Sequence, residues 1–97
     1  MQVIYKPVKK IIPYTHNPRI NDDAVDKVVE SIKEFGFRNP LILDRSGVII
    51  AGHTRLKAAV KLGMDEVPCI LADDLTPEKV KAYRIADNKS AEYSKWD

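Results

Sequence analysis

The sequence predicts an α+β domain in which a small mixed sheet packs with about three helices. Three observations lead there. Apolar residues recur at three- and four-residue spacings along one stretch, short β-branched runs stand apart from it, and glycine or proline punctuates the junctions between them. The 97 residues fit one domain, 1–97, which at this size buries roughly 60 to 65% of its unfolded surface and has little core to spare.

Taken in order, Val3 to Tyr14 mixes short apolar pairs with lysines and two prolines, which suits an irregular edge strand, or two short ones, better than a central strand. Thr15 to Arg19 reads as a loop, because Asn17 precedes Pro18 and is pushed out of the helical region. Asn21 is an expected N-cap, with Asp22 and Asp23 placing negative charge in the first helical turn. Val25, Val28, Val29, Ile32 and Phe35 then draw one apolar stripe, and Gly36 ends the helix. Leu41-Ile42-Leu43 and Val48-Ile49-Ile50, joined by Asp44-Arg45-Ser46-Gly47, predict a β-hairpin. A second helix is expected from about His53 to Leu62, turning Leu56, Ala59, Val60 and Leu62 inward and ending at Gly63. Val67 to Leu71 returns as a strand. Thr76 then caps a last helix with Pro77 at its first position, running to about Asn88.

Composition narrows the function classes. A net charge of +2 is too slight for bulk attraction to nucleic acid, so any DNA contact must be local. No stretch approaches the roughly 18 apolar residues of a membrane span, and the amino terminus lacks a secretory pattern; the expected location is cytoplasmic, with no membrane partner. Cys69 lies in an apolar run and reads as a small buried hydrophobe. His16 and His53 have no partner at metal-ligand spacing, which argues against zinc. Tyr93 and Trp96 are large apolar groups near the last residue, Asp97, with three readings open: the natural chain continues, a partner packs there, or Trp96 folds back on the domain.

The segment Val48 to Ala59 carries the chemistry. A strand that runs through one glycine into a helix leaves the first helical amides unpaired, with the positive end of the helix dipole behind them. Gly52 permits close approach of a phosphate, Arg55 adds a fork of donors, and Lys57 adds mobile charge. An ordinary turn with a solvated basic face fits these residues equally well. Asp87 and Asn88 could supply oxygens to a Mg²⁺ held by a triphosphate, since magnesium takes few protein ligands; Asn88 also fits a plain helix C-cap. Neither GxxxxGK nor GxGxxG is present, which disfavours the common nucleotide folds.

The order Asn17-Pro18-Arg19, Ser31 to Leu41, Val48 to Ala59, Val67-Pro68 and Ala86-Asp87-Asn88-Lys89 resembles the ParB amino-terminal domain over nearly the whole chain. The likeness is to the versions found in phage and mobile-element proteins, often ahead of a DNA methyltransferase module. The resemblance implies the ParB/sulfiredoxin-like fold and a CTP site with Mg²⁺. Gly52 and Arg55 match the Gly and last Arg of the family's phosphate-holding GERR box, with His53 and Thr54 in place of its Glu and first Arg. Asp87 and Asn88 fall where the family has a Glu-Asn pair near metal and triphosphate, and Asn17 and Arg19 match its NPR segment beside the nucleotide. The implied nucleotide-binding set is Asn17, Arg19, Gly52, His53, Thr54, Arg55 and Asn88, with Asp87 and Asn88 at the metal. Sulfiredoxin chemistry is set aside, because the turn carries His53 where that reaction needs a cysteine.

The expected function is a nucleotide-responsive part in DNA transactions, partition or modification, as the amino-terminal piece of a longer protein that associates with DNA through further domains or a homodimer. Weak CTP hydrolysis belongs to the same expectation. A nuclease cleaving phosphodiesters and a non-catalytic adaptor for a DNA methyltransferase are the alternatives. No second pair of helices follows that could form a helix-turn-helix, so sequence-specific DNA reading is not expected of this chain alone.

Overall fold

The computed structural model describes residues 2–14 and 22–93, with side chains through Asp87. Its elements are β1 (Val3–Pro7), a 3-10 turn (Val8–Lys10), α1 (Asp22–Phe35), β2 (Leu41–Leu43), β3 (Ile49–Ala51), α2 (His53–Lys61), β4 (Glu66–Leu71) and α3 (Pro77–Tyr93). The strands form one mixed sheet in the order β1-β4-β2-β3. β1 runs antiparallel to β4, β4 parallel to β2, and β2 antiparallel to β3. β1, which ends at Pro7, is an edge strand, and after the 3-10 turn the chain crosses to the opposite edge, where Ile12 bridges Val48.

Alternation along β2 sends its residues to two cores. Leu41 and Leu43, with Ile49, Val67 and Cys69, pack against Leu56 and Ala59 of α2, whereas Ile42 faces Ile50, Ala72 and Val80 of α3. Helices α2 and α3 therefore sit on opposite faces of the sheet. Helix α1 is an outer layer, laid on α2 through Val25, Val29 and Ala58. Cys69 is fully buried, and burial pushes its thiol pKa up, so it is the inert hydrophobe expected.

Local signals explain most boundaries. Asp44 folds the hairpin turn by accepting the amides of Ser46 and Val48 on Oδ1, while its own amide donates to Val48 O. Helix α2 ends in a Schellman motif: Gly63 has a φ of 73°, its amide donates to Val60 O, and Met64 N donates to Ala59 O. Thr76 caps α3, its Oγ1 accepting from Lys79 N at 3.2 Å.

Three expectations are corrected. Phe35 is 65% exposed instead of closing the α1 stripe, because it borders a surface cleft and not the α1–α2 contact. Val60 is 59% exposed, since the buried arc of α2 runs from Leu56 through Ala59 to Ala58, which faces α1, and Val60 falls outside it; Ala58 is the buried residue the reading omitted. Helix α3 continues past Asn88 to Tyr93, because no glycine or proline follows Pro77 to stop it, so Asn88 is not a C-cap. His16, Asn17, Arg19, Asn21 and Trp96 lie outside the described residues, as do the side chains of Asn88 and Tyr93. Among the described residues no helix is long and apolar enough to cross a membrane.

Candidate functional site

The turn from β3 into α2 is made by Gly52, whose φ of 111° leaves it as a left-handed N-cap without a side chain. Leu56 N donates to Gly52 O, the first bond of the helix. The amides of His53, Thr54 and Arg55 precede that bond, and no side chain caps this end. Space also demands glycine here. A Cβ at residue 52 would lie 2.5 Å from Leu41 Cδ2 and 3.0 Å from Arg55 Nη2, so the backbone is seated against the core on one side and the guanidinium on the other.

Arg55, one turn in, is tethered but not neutralised. Its Nη2 donates to Pro40 O at 3.1 Å, and its Nε is buried with no partner among the described residues. Burial lowers the guanidinium pKa, with Asp87 and Tyr83 opposing that shift. Asp87, from the middle of α3, has its carboxyl pKa raised by burial against the pull of Arg55. The two feel each other's charge without a close ion pair, since no salt bridge joins them. Beside Arg55 runs a cleft of about 330 Å³ between the end of α1 and the approach to β2, lined by Val28, Ile32, Phe35, Phe37, Arg38 and Asn39 among others.

His53 is half-buried, and burial together with the nearby Arg84 lowers its pKa to about 4. Its Nε2 accepts the backbone amide of Tyr14 at 3.3 Å. Arg84 donates through Nε and Nη2 to Ile49 O at 3.2 and 3.1 Å, lies 3.4 Å from Asp44 Oδ2, and stacks 4.0 Å over the Tyr14 ring. A larger cavity, about 440 Å³, opens on the far side of Arg84 between the hairpin turn and the start of α3. Its charged groups are largely committed: Arg45 donates to Asp73 O, and Asp44 serves its own turn and Arg84. The smaller cleft is the better candidate, because Arg55, whose Nε is without a partner among the described residues, lines it.

Of the residues expected at the site, Gly52, His53, Thr54 and Arg55 occupy the turn and first turn of α2, and Asp87 is brought into electrostatic reach of Arg55. Asn88 follows on the same helix, whereas Asn17 and Arg19 lie outside the described residues. Arg84, which opens the polar cluster Arg84 to Lys89, and Tyr14 are not among the residues expected at the site. A signal existed, since Arg84 stands three residues before Asp87 and so shares its helix face. Lys57 is exposed on α2. Among the described residues no group of three or more His, Cys, Asp or Glu could hold a metal; one carboxylate, Asp87, fits an ion that takes its other ligands from phosphate and water.

The ParB N-terminal domain model matches residues 1–88. The ParB-like nuclease domain-containing protein YnaK of Escherichia coli K12 is 45% identical over 80 residues, covering 81% of this chain and 92% of that protein. The C-terminally truncated chromosome-partitioning protein ParB from Caulobacter crescentus, solved with CTP-γ-S, superposes with a TM-score of 0.77 at 23% identity, over 91% of this chain and 53% of that one. Sulfiredoxin from Arabidopsis thaliana shares the fold at a TM-score of 0.70 and 20% identity, over 86% of this chain and 97% of that one. Against other relatives, named as chromosome-partitioning and nucleoid occlusion proteins, the chain spans 24 to 35% of their length. Family match and high identity to YnaK converge with the fold and the glycine turn: the chain belongs to the ParB N-terminal domain family.

Proposed function

We propose that this domain binds a nucleoside triphosphate, CTP with Mg²⁺, at the Gly52 turn, and that binding governs its association with DNA or a partner in partition or DNA modification. The observation that carries the reading is the pairing of uncapped α2 amides with the buried, unpartnered Nε of Arg55. Oriented donors at a helix start, backed by a guanidinium, suit phosphate oxygens. The cleft beside Arg55 would take the rest of the nucleotide, with Phe35 and Phe37 offering apolar surface and Arg38 and Asn39 polar edges. That a fold neighbour was solved with a CTP analogue supports the same class of ligand.

Asp87, with Asn88 next to it, would hold the metal through its carboxylate, and the metal would neutralise charge between phosphate oxygens. Asn17 and Arg19 are proposed at the same site from the family's NPR segment. His53 and Thr54 bring neutral donors where the family box has charged residues. The domain would act as the nucleotide-sensing part, 1–97, of a longer protein, and contact with DNA, a homodimer partner or a methyltransferase module is proposed on the same footing.

Calorimetric titration of CTP, ATP and GTP with Mg²⁺ tests this, repeated on Arg55→Ala. Binding of at least one nucleotide is expected, weakened in the variant roughly 10- to 150-fold by loss of charge-assisted bonds. Absence of heat with all three, in a protein shown to be folded, refutes it.

A further inference from the structure

We propose that Arg84 is a positioning residue for His53: by clamping Tyr14 in place it keeps the Tyr14 amide on Nε2 and so fixes the imidazole as the form protonated on Nδ1, a neutral donor at the start of α2.

The geometry assigns each part of the clamp. Among the described residues, the segment after the 3-10 turn pairs with the sheet at Ile12, whose amide donates to Gly47 O and whose carbonyl accepts from Ile49 N. Arg84 reaches across from α3 with a fork that grips Ile49 O twice and places its plane 4.0 Å over the Tyr14 ring. Asp44, accepting from Arg84 Nη2, keeps that guanidinium from swinging into the neighbouring cavity. One side chain thus joins β3, the hairpin turn and the chain at Tyr14.

The consequence falls on His53. A backbone N–H can only donate, so Nε2 must present its lone pair, and the single proton of a neutral ring must then sit on Nδ1. Among the described residues Nδ1 has no partner. The ring remains neutral at ordinary pH because it is half-buried near a fixed cation. Histidine at this position therefore offers one directed N–H and no charge. Lysine in place of Arg84 would keep the charge but lose both the fork and the planar stack.

The inference rests on the anion-site reading for its effect on ligand, but not for its effect on His53, and the experiment separates the two. The first arm reads the ¹⁵N shifts of the His53 ring at pH 7 in the wild-type protein, in Arg84→Lys, and in Tyr14→Leu, which removes the aromatic face while keeping the amide. Wild type is expected to show protonated Nδ1 and bare Nε2, and both variants a mixture of tautomers. Protonated Nε2 in the wild type, or an unchanged tautomer in both folded variants, overturns the proposal. The second arm titrates inorganic triphosphate. Arg84→Lys should weaken binding roughly 3- to 10-fold, the size of one neutral hydrogen bond, and should have no further effect in a His53→Ala background. Equal loss in both backgrounds means that Arg84 acts on the ligand directly, and overturns it. If wild type binds no triphosphate while the tautomers behave as expected, the nucleotide reading fails and the clamp stands.

Discussion

Replacing Gly52 with alanine tests whether the turn is built by space as well as by backbone conformation. Two costs are separable. A residue with a side chain at a φ of 111° pays strain of roughly 1–2 kcal/mol. The new methyl would also lie 2.5 Å from Leu41 Cδ2, inside a core where Leu41 is 0% exposed, and 3.0 Å from Arg55 Nη2. Forcing one carbon into a packed core costs roughly 1–3 kcal/mol. Gly63 supplies the control, because its φ of 73° imposes similar strain while a Cβ there meets nothing within 4 Å. Urea denaturation should therefore give a loss of about 2–5 kcal/mol for Gly52→Ala against about 1–2 for Gly63→Ala. In a thermal scan the first corresponds to a fall of at least about 8 °C in a domain of this length. Because the methyl also crowds the guanidinium, triphosphate affinity should drop in Gly52→Ala and not in Gly63→Ala. If the two variants lose equal stability, Leu41 yields freely and the turn owes its glycine to conformation alone.

Further outcomes follow from the site's titrating groups and caps. Because His53 has a folded pKa of about 4 against 6.5 unfolded, the unfolded chain binds more protons in between, so its contribution to stability is present above about pH 6.5 and disappears as pH falls toward 4; urea midpoints across that window should fall less steeply in His53→Gln. Asp87 works in the opposite sense, since its raised carboxyl pKa makes the ionised form the less stable one, and Asp87→Asn should hold or slightly raise the melting temperature at pH 7. The same variant should bind inorganic triphosphate more tightly than wild type without divalent cation and less tightly with Mg²⁺, a reversal that titrations in EDTA and in Mg²⁺ would detect. Thr76→Ala should cost about 1 kcal/mol in urea denaturation, through the lost cap on Lys79 N.

How much of this was legible in the sequence depends on whether the deciding interaction was local. The hairpin, the Thr76 cap and the stop at Gly63 are written in neighbouring residues, and they were read correctly. Phe35 and Val60 belong to periodic patterns that are equally apolar all along, and which members go inward depends on where α1 meets α2. The true end of α3 was hidden because nothing in the sequence forces Asn88 to close it. The site divides the same way. Gly52 and Arg55 show themselves as a strand, a glycine and a basic helix start, whereas Tyr14 and Arg84 are 70 positions apart and meet because β3 is an edge strand that both elements approach.

The GHTR turn in this chain is a different electrostatic setting from the GERR box that its sequence resembles. In this chain His53 is neutral and Thr54 uncharged, so Arg55 is the fixed cation of the first helical turn, and Asp87 partly offsets its field. Arg84 adds no free charge to the turn, because its guanidinium is spent on Ile49 O, Asp44 and the Tyr14 ring. What remains for an incoming anion is a set of directed N–H groups backed by a single guanidinium. As the anion site proposed, it would select by geometry more than by net charge, and a polyphosphate would meet Asp87 as a repulsive neighbour unless a cation stood between them. If a nucleotide binds here as proposed, the neutral box and the need for a divalent ion between phosphate and Asp87 would share one electrostatic cause.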